Sequence, residues 1–279
     1  ASGISSTGTQ DFREVAARYP DVPRFVIRKI DVGLRGVMPT DRAMEGARQL
    51  GALFEEEAET RGKGTRSYKL GGGTFRDGSA LFGLEASLIG TGFGWSRMLR
   101  GRLGPYMLDV IDDELMLVDG DEPVEPVYLA TIPDYYGKRT SRGTPMHHVV
   151  SADPPDCLNI SPHNYCCFWR EKQPCKYCTL GAQRKHEHSS VFHSHSDINQ
   201  GHKTEADLED IYETVSEAMK EQGRWTCIRL IAGSDFTGTA PFENEVNQYI
   251  AVLKTLSRCF NGRMPSVRLV ASAFPETQL

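Results

Sequence analysis

Cysteine placement constrains this chain more than any other feature. Seven cysteines stand in 279 residues, at 157, 166, 167, 175, 178, 227 and 259, and the first 156 residues have none. A disulfide framework of a secreted domain spreads its cysteines over a shorter chain. Here four fall between Cys166 and Cys178. The start, Ala1-Ser-Gly-Ile-Ser-Ser, has neither a basic nor an apolar leader segment, so it does not read as a signal peptide. The absence of an initial Met points to removal of the initiator or to an excised piece. The bunching therefore predicts a metal or cluster site in a reducing compartment, and a cytoplasmic protein. A hydrophobic fraction of 39% and a charged fraction of 25% suit a soluble globular chain of one or two domains. With 32 basic and 37 acidic residues the net charge is −5, against a dedicated nucleic-acid binder. No apolar run approaches about 18 residues, so no membrane partner is expected.

Local patterns divide the chain into residues 1–150, an N-terminal α+β domain, and 151–279. Asp41 to Glu59 reads as a helix, with Thr40 as N-cap and Ala43, Ala47, Leu50 and Phe54 at helical spacing. Short apolar runs beginning at Ala80, Tyr106 and Val127 read as strands. The glycine runs at Gly71 and Gly90 suit turns of a small β-rich domain better than a phosphate loop, because no Lys-Ser/Thr follows them. From Cys157 the rhythm alternates. Strands are expected at Cys157–Ser161, Cys227–Ala232 and Val267–Ser272. Between them lie helices over Lys203–Gly223, with Thr204 and Asp207 as a capping box, and over Asn244–Phe260. Leu208, Ile211, Val215 and Met219 form the apolar stripe of the first. Val246, Ile250, Leu253 and Phe260 form that of the second. This alternation predicts parallel strands.

The densest chemistry runs from Ser161 to Cys178, just past the end of the first of these strands, where α/β barrels place their sites. Cys175-Lys-Tyr-Cys178 puts two thiolates within reach of one metal ion or cluster. The further ligand is Cys166 or Cys167. Four thiolates would close a zinc or iron–sulfur site. Adjacent cysteines diverge, so three ligands are the better count. Three thiolates on a four-iron cluster leave one iron open, which is a catalytic arrangement.

These residues resemble the radical S-adenosylmethionine (SAM) superfamily. Its signature ends in two cysteines two residues apart, with an aromatic before the last, as in Cys175-Lys-Tyr177-Cys178. The gap before Cys175 is longer than the commonest one. The branch resembled is that of biotin-synthase-like proteins, through Pro133–Met146, Asp156-Cys-Leu, Cys166, Cys175–Cys178 and Lys203–Leu208, over roughly residues 70–275. The resemblance implies a [4Fe–4S] cluster on Cys166, Cys175 and Cys178, with Cys167 as the alternative first ligand. It implies an enzyme that cleaves SAM reductively to a 5′-deoxyadenosyl radical, abstracts hydrogen from a small-molecule or carrier-bound substrate, and in some branches inserts sulfur, as biotin and lipoyl synthases do. An electron donor such as ferredoxin or flavodoxin follows. Tyr177 would pack near the adenine, and Gly233-Ser234-Asp235 would receive the SAM amino group, with one Gly and an Asp where the superfamily has Gly-Gly-Glu. No acidic residue precedes Pro275, where similar proteins tend to have one. The rival is a non-enzymatic binding module stabilised by zinc or a cluster.

The fold this implies is α/β, a partial parallel (β/α) barrel of TIM-barrel type, preceded by the smaller N-terminal domain. Only three βα units follow residue 150, where such barrels need about six. Either the chain is a truncated piece or a partner chain completes the sheet. The tyrosine-rich stretch at Tyr135 and Tyr136 is a candidate lid over the open edge. His163 and Asn164 are candidates for supporting the cluster or for capping a loop. Phe168 and Trp169 suit either shielding the cluster or packing under its loop. His186, His188, His193 and His195 suit a second metal site or a solvated loop. Arg229 and Arg268 suit either a barrel-lumen role toward an anionic substrate or exposed or paired strand positions. Cys157, Cys227 and Cys259 read as buried packing, so no second cluster is expected.

Overall fold

The computed structural model describes residues 12–57, 66–71, 73–74, 80–82, 86–89, 92–93, 106–152, 156–173, 175, 201–260 and 265–274. The chain divides into two compact units, Ala1–Ile132 and Pro133–Leu279. No helix among the described residues is long and apolar enough to cross a membrane.

The first unit holds α1 (Phe12–Arg18), α2 (Arg24–Arg35), β1 (Val37–Pro39), α3 (Asp41–Gln49), β2 (Leu53–Glu57), β3 (Arg66–Leu70), β4 (Gly73–Thr74), β5 (Ala80–Phe82), β6 (Ala86–Ile89), β7 (Gly92–Phe93), β8 (Tyr106–Ile111), β9 (Glu114–Asp119), β10 (Glu122–Pro126) and β11 (Tyr128–Leu129). The strands form sheets in the orders β1-β8-β9-β10, β2-β3-β6-β7 and β11-β4-β5. Thr40 caps α3 as expected, its hydroxyl accepting from Ala43 N at 3.1 Å. The helix stops at Gln49, not at Glu59. Gly51 turns left-handed (φ 66°), which costs glycine little, and Leu53–Glu57 pairs with β3 instead. Leu50 is accordingly exposed, while Ala43 and Ala47 lie in the core with Leu70, Tyr106, Leu108 and Leu117. A Cβ on Gly71 would run into the Ala130 carbonyl, so this glycine serves a close approach of two backbones.

The second unit holds a 3₁₀ turn (Asp134–Gly137), α4 (Met146–Val149), β12 (Ser151–Ala152), β13 (Cys157–Ile160), α5 (Cys167–Arg170), α6 (Glu205–Ala218), β14 (Cys227–Ile231), α7 (Glu243–Cys259) and β15 (Ser266–Val270). Its sheet has the order β12-β13-β14-β15, with β13, β14 and β15 parallel and β12 antiparallel to β13. The capping box is present: Thr204 and Asp207 satisfy each other's backbone N–H groups. Ile211 and Val215 are buried as the stripe predicts. The helix ends at Ala218 rather than Gly223, because the Trp225 indole N–H takes the Ala218 carbonyl at 2.7 Å and the chain tightens into turns.

The observed division falls at Pro133, ahead of the expected 150. Residues 134–144 are tied along α6: Asp134 N donates to Glu221, Ser141 N to Glu213, and Arg142 and Thr144 to Asp210. Tyr135 and Tyr136 are no lid. Both are buried. Tyr135 donates its hydroxyl proton to the Val150 carbonyl at 3.0 Å, and the Tyr136 hydroxyl accepts from Ala152 N at 3.0 Å. They anchor β12, on the edge opposite β15.

α7 departs most from its sequence pattern. Its buried residues are Glu245, Tyr249, Val252, Thr255 and Leu256, while Ile250 of the expected stripe is 41% exposed. A carboxylate and a phenol face inward because each satisfies backbone at the strand ends. Glu245 accepts from Asp235 N and Ser272 N at 2.8 and 2.9 Å, and Tyr249 donates to the Val270 carbonyl at 2.7 Å.

Candidate functional site

Because β13, β14 and β15 are parallel and in register, the segments leaving Ile160, Ile231 and Val270 emerge on one side of the sheet. This is where open α/β sheets bind their ligands. The first segment carries His163 and then Cys166, the N-cap position of α5. The second carries Gly233, Ser234 and Asp235. The third carries Ser272.

The structure brings the first two together. Cys167 N donates to the Ser234 carbonyl at 2.8 Å. A Cβ on Gly233 would meet the Tyr165 carbonyl oxygen at 2.5 Å and would overlap the Cys166 Cβ. Glycine at 233 is thus what lets the cysteine loop seat on the end of β14. Cys166 and Cys167 are both buried and Cys175 is exposed. Burial, with the neighbouring Cys166, pushes the Cys167 thiol above its ordinary value, against the backbone N–H groups of Phe168 and Phe236, which favour the thiolate. Tyr177, Cys178 and the histidines at 186, 188, 193 and 195 lie outside the described residues. Among the described residues no group of three or more His, Cys, Asp or Glu side chains converges as a metal site.

A polar network ties the three strand ends. Asp235 is buried. Its Oδ1 accepts from Thr237 N and Oγ1, at 3.0 and 2.5 Å, and its Oδ2 faces His202 Nε2 at 2.7 Å. Burial would raise the Asp235 carboxyl, but the hydrogen bonds from Thr237 and His202 prevail and hold it below its ordinary value. Beside it Glu245, also buried, accepts from Asp235 N, Ser272 N and the Ser272 hydroxyl. His202 arrives from just before α6 because residues 163–164 pair with 201–202. His163 and His202 form an antiparallel bridge, and Asn164 N donates to the Gly201 carbonyl at 2.9 Å.

His163 is buried, and burial depresses its imidazole to about 4. The neutral ring donates through Nδ1 to the Tyr165 carbonyl at 3.1 Å, which leaves Nε2 buried and without a partner among the described residues. His163 thus holds the cysteine loop's backbone. Next to the loop, Phe168 and Phe236 meet edge-to-face at 5.3 Å, and Phe236 continues to Phe242 at 4.9 Å.

The remaining candidates sit away from these strand ends. Arg229 donates to Asn159 at 2.5 Å, across the sheet, and its register partner Arg268 is exposed. Cys157 and Cys227 are register partners at the starts of β13 and β14. They are buried, with Sγ atoms 2.7 Å apart, and burial together with Cys227 pushes the Cys157 thiol up to about 12. Cys259 packs against the carbonyls of Tyr212 and Thr255.

Sequence reasoning missed His202, Glu245 and Ser272. His202 stands alone before a capping box, and nothing local marks it. Glu245 had a faint signal: with Tyr249, Val252 and Leu256 it follows a helical spacing that an apolar-only reading discards. No protein-family model, no curated protein and no solved structure matches the chain.

Proposed function

We propose that the chain is a radical SAM enzyme that holds a [4Fe–4S] cluster on Cys166, Cys175 and Cys178, and that abstracts hydrogen from a small or carrier-bound organic substrate. The observation that carries this reading is the seating of the Cys166 loop on Gly233-Ser234 at the C-terminal end of β14. A cysteine loop from one strand and a Gly-Ser-Asp segment from the next share one place, as a cluster and the amino group of its bound SAM require. The donor set also fits, since thiolates are the ligands of such clusters. When bound, cluster and SAM together supply the radical chemistry, with electrons from a ferredoxin- or flavodoxin-like donor.

The chain's own residues bind, orient and exclude water. Gly233 admits the loop. Ser234 fixes the Cys167 backbone. A carboxylate offers about four acceptor positions. Three donors, two from Thr237 and one from His202, engage Asp235, so one position is left for an ammonium. Phe168 and Phe236 meet edge-to-face and offer apolar surface beside the Cys167 thiol.

In this reading β13, β14 and β15 are the first strands of a partial barrel. β15 pairs only with β14 among the described strands. Leu269 and Val270, pointing to opposite faces, are 51% and 46% exposed. A parallel strand is ordinarily covered on both faces. Further polypeptide, from a longer chain or a partner chain, therefore completes the sheet here.

Anaerobic reconstitution with iron and sulfide, followed by electron paramagnetic resonance, tests the proposal. The reduced cluster gives a signal that changes when SAM is added. Cys166→Ala abolishes iron uptake and Cys167→Ala retains it. Tight zinc without iron uptake overturns the proposal in favour of a zinc-stabilised binding module.

A further inference from the structure

The proposed cluster chemistry uses Asp235 only as an acceptor and gives His202, the donor on its Oδ2, no part of its own. The carboxylate is buried, held by Thr237 N and Oγ1, and set behind an imidazole whose side chain is 41% exposed. An ionised carboxylate only accepts hydrogen bonds. His202 Nε2, 2.7 Å from Asp235 Oδ2, must therefore carry a proton. In the neutral ring the lone pair then sits on Nδ1, which has no partner among the described residues. A buried carboxylate that fixes the tautomer of an accessible imidazole is the arrangement by which proteins build an acid–base group. Nearby, the buried His163 Nε2 is a second acceptor with no partner among the described residues. Both lie where the three parallel strands end.

We propose that His202 is an acid–base residue of this site, exchanging a proton through Nδ1 with a hydroxyl or ammonium group of the molecule bound there, and that Asp235 is its positioning residue. In the step, the substrate's X–H bond breaks and an Nδ1–H bond forms. The electron pair stays on X, and the imidazolium is balanced by the Asp235 carboxylate. The reverse step returns the proton. The groups around this ring are Asp235 from the end of β14, His163 from the end of β13, and Lys203, its chain neighbour. Burial pushes the Lys203 ammonium down, with Asp207 and Asp210 partly opposing it. The inference rests on the proposed function only in placing a substrate at this end of the sheet.

The test uses diethyl pyrocarbonate, which acylates the imidazole lone pair, on the full chain as isolated, with peptide mass spectrometry locating the product. No SAM, reductant or activity assay enters, so a failure here is separate from a failure of the cluster reading. His202 acylates readily at about pH 8, where an ordinary imidazole is neutral, and buried His163 does not. In Asp235→Asn the amide presents an N–H to Nε2, which moves the ring proton onto Nδ1 and lowers the His202 rate by about tenfold or more. Asn244→Ala removes a hydrogen bond from the same loop, at Thr237, without touching the carboxylate, and controls for loosening. Its rate stays within about twofold, as expected for a solvent-facing hydrogen bond. Equal slowing in both variants, or none in Asp235→Asn, overturns the proposal. Should Asp235→Asn unfold, seen as acylation of His163, nitrogen-15 NMR of the wild-type chain decides. The Nε2–H tautomer supports the proposal and the Nδ1–H tautomer overturns it.

Discussion

At the scale of single residues, the site is governed by which polar atoms are buried and which partners they find. His163 is the sharpest case. Burial lowers its imidazole to about 4, whereas in an unfolded chain it titrates near about 6.5. Between these values the unfolded state binds more protons than the folded one. The stability gained by keeping His163 neutral is therefore complete above about 6.5 and is lost as pH falls toward about 4. By about pH 5 the loss from this one group is about 2 kcal/mol. Urea unfolding of the wild type should show this fall between neutral pH and about pH 5. His163→Leu should show a fall smaller by that amount. Equal falls in the two proteins would mean that His163 is charged when folded.

Secondary-structure elements here are held in place by polar groups on faces that should be apolar. α7 is the clearest example. Its Glu245 carboxylate bridges the backbone of β14's end and β15's end, and so holds Gly233–Asp235 where the Cys166 loop can seat. Glu245→Leu would leave two N–H groups unsatisfied, the buried one of Asp235 and the part-buried one of Ser272. The expected cost is about 2–4 kcal/mol. Glu245→Gln keeps a carbonyl acceptor and should cost about half as much. Denaturant midpoints of the two variants measure this, and a Leu variant as stable as wild type would remove Glu245 from the account. The same logic explains why sequence periodicity located α7 but misplaced its buried face. The pattern weighs side chains by hydrophobicity, whereas the strand ends select hydrogen-bond acceptors.

For the whole molecule, the second unit presents three parallel strands of which the last, β15, has no outer neighbour among the described strands. β12 closes the side next to β13, while β15 exposes Leu269 and Val270 on its two faces. Exposed edges of this kind pair with other chains. The isolated chain should therefore self-associate at moderate concentration in sedimentation velocity. Leu269→Lys should weaken that association, since edge charges disfavour pairing, while changing stability by no more than about 0.5 kcal/mol. A wild type that stays monomeric would argue that β15 is already covered, and against further strands at this edge.

Much of the second unit was legible from residue order. The three parallel strands, the capping box at Thr204 and Asp207 and the buried positions of Cys157 and Cys227 follow from local pattern, because spacing and cap chemistry act over a few residues. The proposed ligand set rests on the cysteine bunch from Cys166 to Cys178, which is a feature of the sequence. Three outcomes needed the tertiary structure. Tyr135 and Tyr136 anchor β12 instead of lidding an edge, because their hydroxyls meet backbone groups of Val150 and Ala152. Gly233 matters for a close approach to Cys166, 67 residues earlier in the numbering. His202 reaches Asp235 only because residues 163–164 pair with 201–202. Each depends on contacts between segments far apart in the chain. Composition and periodicity describe neighbours along the chain, and the His202–Asp235 contact at the strand ends is made by neighbours in space.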